Sequence, residues 1–324
     1  MIKKSKVWMI GLSVAAVSLF TVTAFASTPT TGGYDVFKEV LKANHMSEKS
    51  VDSATIKGGF TVKVDGETVL TADGTTKVVD AGDQHSVSSD FGITLMGVER
   101  TGSLYSSGDD VVYLVDGTHD LHYSVNNLHD KQSGKYHRSV KDDKHQDRQM
   151  SKGEEALFDF MVGDLKDDFS VTNQTDGSKT ITVDVSKEEI PLPLRLLLDV
   201  ASAADKDKRA HAPEASEKWE QLKQFPFFQG LEGVNLEAHL LPKLTKDVAI
   251  ERVRLQMTVN ANNELLGMFG ELEVSGKDEA GVTHRVELKS EGDFSGINAT
   301  TPDVFDPAGK TVKTIDGITF GDHR

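Results

Sequence analysis

The sequence predicts an α+β fold: a curved antiparallel sheet, or half-barrel, built from two meanders and covered on its apolar face by helices. Three observations predict it. Apolar and polar residues alternate along many segments near both ends of the chain, the period of a half-buried strand. Stretches with apolar residues three and four apart lie at 34–45 and through the middle, which is the helical period. The two ends also share a plan. FTVKVDGETVLTADGTTKV (60–78) and LQMTVNANNELLGMFGELEV (255–274) space their apolar residues alike, a weak internal repeat of pattern.

The N-terminus carries an export signal. Lys3, Lys4 and Lys6 precede an apolar run from Val7 to Phe25, which ends in Ala24-Phe25-Ala26, a small-x-small cleavage pattern. Cleavage after Ala26 yields a chain of residues 27–324, expected to be secreted to the extracellular or cell-wall zone. The competing expectation is an uncleaved anchor, since the run is close to the roughly 17 residues that span a bilayer. The chain has no cysteine, so it has neither a disulfide nor a lipidated Cys. An exported chain without disulfides must rely on a buried core, which suits bacterial secretion.

Residues 27–324 read as one domain with two pseudo-repeated halves, about 34–150 and 153–299, and an irregular tail, 300–324. Tyr34, Phe37, Val40 and Leu41 define the first helix, 34–45. Ile56, Phe60, Val62 and Val64 share one face of a strand, with Lys57, Thr61 and Lys63 on the other. Asp65-Gly66 is the two-residue hairpin turn, because both positions need positive φ. Further strands are expected at 69–79, 86–95, 102–105, 111–115 and 121–125, the last two joined by a turn beginning at Asp116-Gly117. Residues 126–153 are charged and His-rich and read as a hydrated loop. A helix is expected at 154–167, with Leu157, Phe160, Met161 and Leu165 on one face. A hairpin follows around Asp176-Gly177, carrying Val171, Ile181, Val183 and Val185.

Pro191-Leu192-Pro193 opens an apolar helix to Ala204, where proline fits only the first turn. Another helix is expected at 213–225, carrying Trp219 and Leu222 and stopped by Pro226. Val253, Leu255, Met257 and Val259 then alternate with Arg252, Arg254, Gln256 and Thr258. Residues 260–263 turn the chain. Leu266, Met268, Leu272 and Val274 return on one face, and Val282, Val286 and Leu288 follow after a turn at 277–281. The tail from Thr300 is expected to wrap the surface.

Charge and motifs limit the function. The formal net charge is −15, and the signal segment holds three lysines and no acid, so the cleaved chain is more acidic still. Such a chain repels nucleic acid and anionic lipid surfaces. Five histidines lie between His119 and His145, but His119 and His122 are three apart and point to opposite faces of a strand. No His-Glu-x-x-His arrangement is present, so no metal site is expected. The acidic pairs Asp109-Asp110, Asp142-Asp143, Asp167-Asp168 and Glu188-Glu189 fit an acidic surface. No serine elbow, Ser-x-x-Lys, phosphate loop or dinucleotide fingerprint occurs, and a cysteine nucleophile is impossible. No enzymatic activity is read from the chain, and no cofactor is implied.

The apolar faces are the remaining candidate. Phe60, Val62, Val64, Leu194, Leu197, Leu198, Val253, Leu255 and Met257 are the expected lining of a cavity between sheet and helices. Three stretches carry a resemblance: Gly33-Tyr34-Asp35-Val36-Phe37-Lys38-Glu39-Val40-Leu41-Lys42, Val162-Gly163-Asp164-Leu165, and Ser290 to Pro302 with Asp293-Phe294-Ser295-Gly296. The chain resembles uncharacterised secreted proteins of Bacillus- and Paenibacillus-type bacteria. Its order of elements is similar to the half-barrel of bacterial lipoprotein carriers, mycobacterial lipid-carrier lipoproteins and lipopeptide-sensing regulators of envelope stress. The resemblance implies a lipid, lipopeptide or other apolar or amphipathic ligand. The alternative is an interaction or regulatory protein of the cell envelope, with an envelope protein as partner and a core filled by its own side chains.

Overall fold

The computed structural model describes residues 32–46, 51–81, 84–107, 111–126, 163–191, 242 and 244–315. The first described element is α1 (Gly33–Met46). A first meander follows: β1 (Ser53–Val64), β2 (Glu67–Ala81), β3 (Gln84–Leu95), β4 (Val98–Ser107), β5 (Val111–Asp116) and β6 (Leu121–Asn126). A 3-10 helix at Gly163–Asp168 leads into β7 (Ser170–Asn173), β8 (Lys179–Ser186), β9 (Lys246–Val259), β10 (Leu265–Lys277) and β11 (Thr283–Ser295). The last described element is β12 (Val312–Ile315).

These strands form one sheet in the order β12-β6-β5-β4-β3-β2-β1-β11-β10-β9-β8-β7. The two meanders meet at an antiparallel seam, β1 against β11, running from Thr55↔Ser295 to Val64↔Val286. The expected α+β class with a helical cover does not hold. The fold is mainly β, with one α-helix among the described residues. That helix sits over β7–β9 at one end of the sheet rather than across it. The strands are also longer than expected. The segment read as 102–105 runs from Val98 to Ser107, and β9 begins at Lys246. Arg100 and Thr101 interrupt the apolar alternation in β4, while pairing with β3 continues through them.

Other expectations fall outside the described residues: the signal segment, the loop beyond Asn126, and the helices 191–204 (beyond Pro191) and 213–225. Of the helix expected at 154–167, the described part is the 3-10 turn Gly163–Asp168, with Leu165 buried. Val282 does not join the strand face of Val286. It lies in the β10–β11 turn and is 52% exposed. The Asp65-Gly66 turn has φ of 52° and 85°, as a type I′ hairpin requires.

Cross-strand register sorts the side chains into two faces, because paired residues point the same way. One face is mainly apolar, with Thr76, Ser89, Arg100 and Asp116 as polar members toward the β2–β5 side. A single row across it reads Ile93, Ala72, Phe60, Ser290, Gly270, Leu255 and Val183. The other face is polar. Here the tail crosses the strands before adding β12 to β6, the only parallel pair of the described sheet.

Helix α1 is fixed by Tyr34, Phe37 and Val40, which are 5%, 3% and 0% exposed. They pack on Ile181, Val183, Val185, Met257 and Val259. Each such side chain stabilises the fold by about 1.5–3 kcal/mol. The Phe169 ring lies 5.1 Å from that of Tyr34 and 5.0 Å from that of Phe37. Gly33 permits this approach, since a Cβ there would come 2.2 Å from the Phe169 carbonyl oxygen. Two more clusters lie along the apolar face, one around Val62, Val69 and Val286 and one around Val87, Leu104, Val112 and Val125.

Candidate functional site

The apolar face holds six of the expected lining residues. Val62 is 2% and Met257 4% exposed, so both belong to packed clusters. Phe60, Val64, Val253 and Leu255 are only half-buried. Leu194, Leu197 and Leu198 lie outside the described residues. Phe60 and Leu255 share a cross-strand row, separated by Ser290 of β11 and Gly270 of β10. Three strand spacings of about 4.8 Å put their backbones roughly 14 Å apart. Ser290 and Gly270 contribute no bulk between them, nor do Gly58 and Gly292 in the next row. The structure thus brings the two expected sets together on one face, around a stretch of small residues at the seam. A β-bulge in β2 supplies a further lining residue that alternation hides. It sets Val69 beside Leu70 in the same cluster.

One side chain on this face stands apart chemically. Tyr123 of β6 is 2% exposed, and its hydroxyl meets no hydrogen-bond partner among the described residues. Burial, and then the negative charge of Asp116, push its pKa up from the ordinary 10.0. Asp116 is fully buried but satisfied. It accepts from the Thr118 and His119 amides and lies 2.8 Å from His119 Nδ1. His119 is therefore engaged in its own turn, while the His122 ring lies 5.6 Å from that of Phe305 on the polar face. Among the described residues no group of three or more His, Asp or Glu is placed to hold a metal.

The polar face carries three features. The first is a relay of ion pairs across five strands. Asp184 of β8 accepts two bonds from Arg252, at 2.8 Å each, and one from Arg254 at 3.1 Å. Arg254 reaches Glu271 at 3.3 Å, and Lys289 lies 3.9 Å from Glu271. Lys289 then pairs with Glu287 at 2.9 Å, and Glu287 with Lys63 at 3.3 Å. The Arg252 bond in the first case, and the Lys289 bond in the second, hold Asp184 and Glu287 below the usual carboxylate range. Reading Arg252 and Arg254 as the wet side of a strand located the face but not these partners, which come from other strands.

The second feature is a groove of about 830 Å³, running from Gln256 on β9 to Thr101 on β4 and the turn at Gly117. Gly59, Gly92 and Gly267 clear its floor. Asp73, Asp90, Glu99, Glu291 and Asp293 line it with Lys57 as the single base, so it offers acceptors and negative charge. Asp90 Oδ1 accepts from Ser103 Oγ at 2.5 Å.

The third feature is the tail. It follows one cross-strand row of the polar face: Thr55, Lys77, Ser88, Tyr105, Tyr113 and Ser124. Thr300 meets Thr55 at 2.8 Å, Asp303 meets Lys77 at 2.8 Å, and Phe305 packs 4.8 Å from Tyr113. Thr314 closes the row on Ser124 at 3.2 Å. The expectation that the tail is irregular and surface-bound misses its last step, the strand β12. Val312 and Ile315 are its only apolar signal.

No helix among the described residues is long and apolar enough to cross a membrane. Against known proteins, no family model matches the chain and no curated protein matches it.

Proposed function

We propose that the chain is an exported, non-enzymatic protein that holds an apolar or amphipathic molecule, such as a lipid or lipopeptide, against the apolar face of its sheet. The observation that carries this reading is the row Phe60–Ser290–Gly270–Leu255, where two large, half-buried apolar side chains flank two small, buried residues on a mainly apolar face. Apolar surface left half-exposed at the middle of a sheet costs solvation free energy that a ligand would recover. The polar face, with its net negative charge, keeps the carrier soluble and off anionic surfaces.

A second reading is favoured by the tight clusters: an envelope interaction protein whose core is filled by Val62, Met257, Val183 and their neighbours. Leu255→Trp separates the two. Gly270 beside Leu255 leaves room for an indole only if that space is otherwise empty. In a carrier the variant folds with wild-type stability and displaces an environment-sensitive apolar dye that the wild type binds. In a filled core it overpacks and destabilises by about 1–3 kcal/mol. A wild type that binds no dye and yields no co-purifying lipid by native mass spectrometry sinks the carrier reading.

A further inference from the structure

We infer that the row Lys77–Ser88–Tyr105–Tyr113 is a docking track for an extended peptide of the pattern Pro-Asp-x-aromatic, filled in cis by the chain's own tail as a releasable latch. The inference rests on how the tail is held. Its root is fixed to β1: Asn298 N donates to the Ser53 carbonyl at 2.8 Å, Asp52 N donates to Asn298 Oδ1 at 2.7 Å, and Thr300 N donates to Ser53 Oγ at 3.1 Å. Beyond Thr300 the character of the contacts changes. From Thr301 to Pro307 the tail makes no backbone ladder with the sheet it crosses. Its side chains hold it, together with one backbone amide, that of Asp303.

Those side chains make a short code. Pro302 is buried. Asp303 sits between Lys77 Nζ, at 2.8 and 3.0 Å, and Ser88, whose hydroxyl accepts from the Asp303 amide at 2.8 Å. Phe305 is 7% exposed, in a slot made by Tyr113 at 4.8 Å, His122 at 5.6 Å and Tyr105 at 5.8 Å. Lys310 folds back with its Nζ 4.3 Å from the centre of the Phe305 ring. Val304, between the two anchors, is 77% exposed and is not read at all. Proline preorganises the extended chain, the acid is read by a lysine and a hydroxyl, and the ring is read by an aromatic slot.

A segment held by side chains through an exposed ion pair opens more readily than a ladder strand. Beyond it, β12 adds only four residue pairs, Val312↔His122 to Ile315↔Val125. When the latch lifts, β6 becomes an unpaired edge beside an empty aromatic slot. Together these accept an extended partner segment carrying the same pattern, by strand addition.

Two measurements on the full chain test this. In wild type, amide exchange at Val312–Ile315 and Leu121–Val125 runs at least about tenfold faster than at the β1–β11 seam, as a locally opening unit requires. Exchange of both regions at one common rate overturns the latch. In Phe305→Ala, a fluorescent peptide spanning residues 299–316 binds saturably, and wild type binds it at least about tenfold more weakly because its own tail competes. Peptides with Asp303→Lys or Phe305→Ala lose that binding, and so does the intact peptide against Phe305→Ala/Tyr113→Ala protein. Peptide binding that ignores these changes, or no binding to a folded Phe305→Ala chain, overturns the track.

Discussion

Replacing Tyr123 by phenylalanine should stabilise this protein. The hydroxyl sits in a side chain that is 2% exposed and has no hydrogen-bond partner among the described residues. Folding therefore strips it of water without compensation. An unsatisfied buried group of this kind costs about 1–3 kcal/mol. Removing one oxygen also forfeits a few dispersion contacts, each about 0.1–0.2 kcal/mol. The net expectation for Tyr123→Phe is a gain of about 1–2 kcal/mol, read as a higher midpoint in urea at unchanged slope. In a melt it should appear as a rise of roughly 2–4 °C per kcal/mol.

A second signature follows from the sign of the acidity shift. Burial raises the folded-state value above the ordinary 10.0, so the neutral phenol is favoured by the fold. That contribution is intact below the unfolded value and is lost as pH rises through and beyond it. The fall in stability above about pH 10 should be shallower in the variant. If Tyr123→Phe instead destabilises by 1 kcal/mol or more, the hydroxyl has a partner and the reasoning fails.

Two further outcomes are expected. Gly58 faces β11 so closely that a Cβ would fall 2.4 Å from the Glu291 carbonyl oxygen, whereas at Gly59 the nearest contact would be 3.2 Å. Gly58→Ala should therefore cost about 1–3 kcal/mol by strain at the seam, and clearly more than Gly59→Ala, in parallel denaturant titrations. His284 bridges two hairpin turns, with Nδ1 2.8 Å from Asp65 and Nε2 3.5 Å from Asp278. The Asp65 bond above all raises its proton affinity. The His284 bond is likewise the largest cause lowering Asp65, while Asp278 is lowered first by the Val282 amide. The His284 contribution is complete below the unfolded value of 6.5 and is lost as pH rises through the raised folded value. The carboxylate contribution is present above 3.8 and lost as pH falls. An NMR titration of His284 should show a midpoint above 6.5, and His284→Ala should flatten the pH dependence of stability on the alkaline side. A midpoint at or below 6.5 contradicts the bridge.

The strands were legible wherever alternation was clean. Val253, Leu255 and Met257 against Arg252, Arg254 and Gln256 placed both faces of β9, and Asp65-Gly66 placed its turn to the residue. Met96-Gly97 makes the same kind of turn, with φ of 49° and 81°, but methionine is no turn signal. Strands run longer than their alternation where polar residues such as Arg100 and Thr101 break the pattern, because the backbone ladder does not depend on side-chain type. The helical cover does not hold: the one α-helix among the described residues is Gly33–Met46, at one end of the sheet, while the helices expected at 191–204 (beyond Pro191) and 213–225 lie outside the described residues. The candidate lining at Phe60 and Leu255 could be named from sequence, but their shared row could not. It depends on β1 pairing with β11, and no local pattern encodes that partner.

That same seam governs how the chain can fold. Lys63 and Glu287, which pair across it, are 224 residues apart. The first meander can assemble from neighbours as it is made, but β1 must then wait with a free edge until β11 exists. Closing such a distant pairing late makes folding slow, and an unpaired edge invites the wrong partner in the meantime. Gly58 and Gly59 sit in the middle of that waiting edge, where they lower its intrinsic strand preference. The glycines that give the finished seam its close fit would also keep the unfinished one from being sticky.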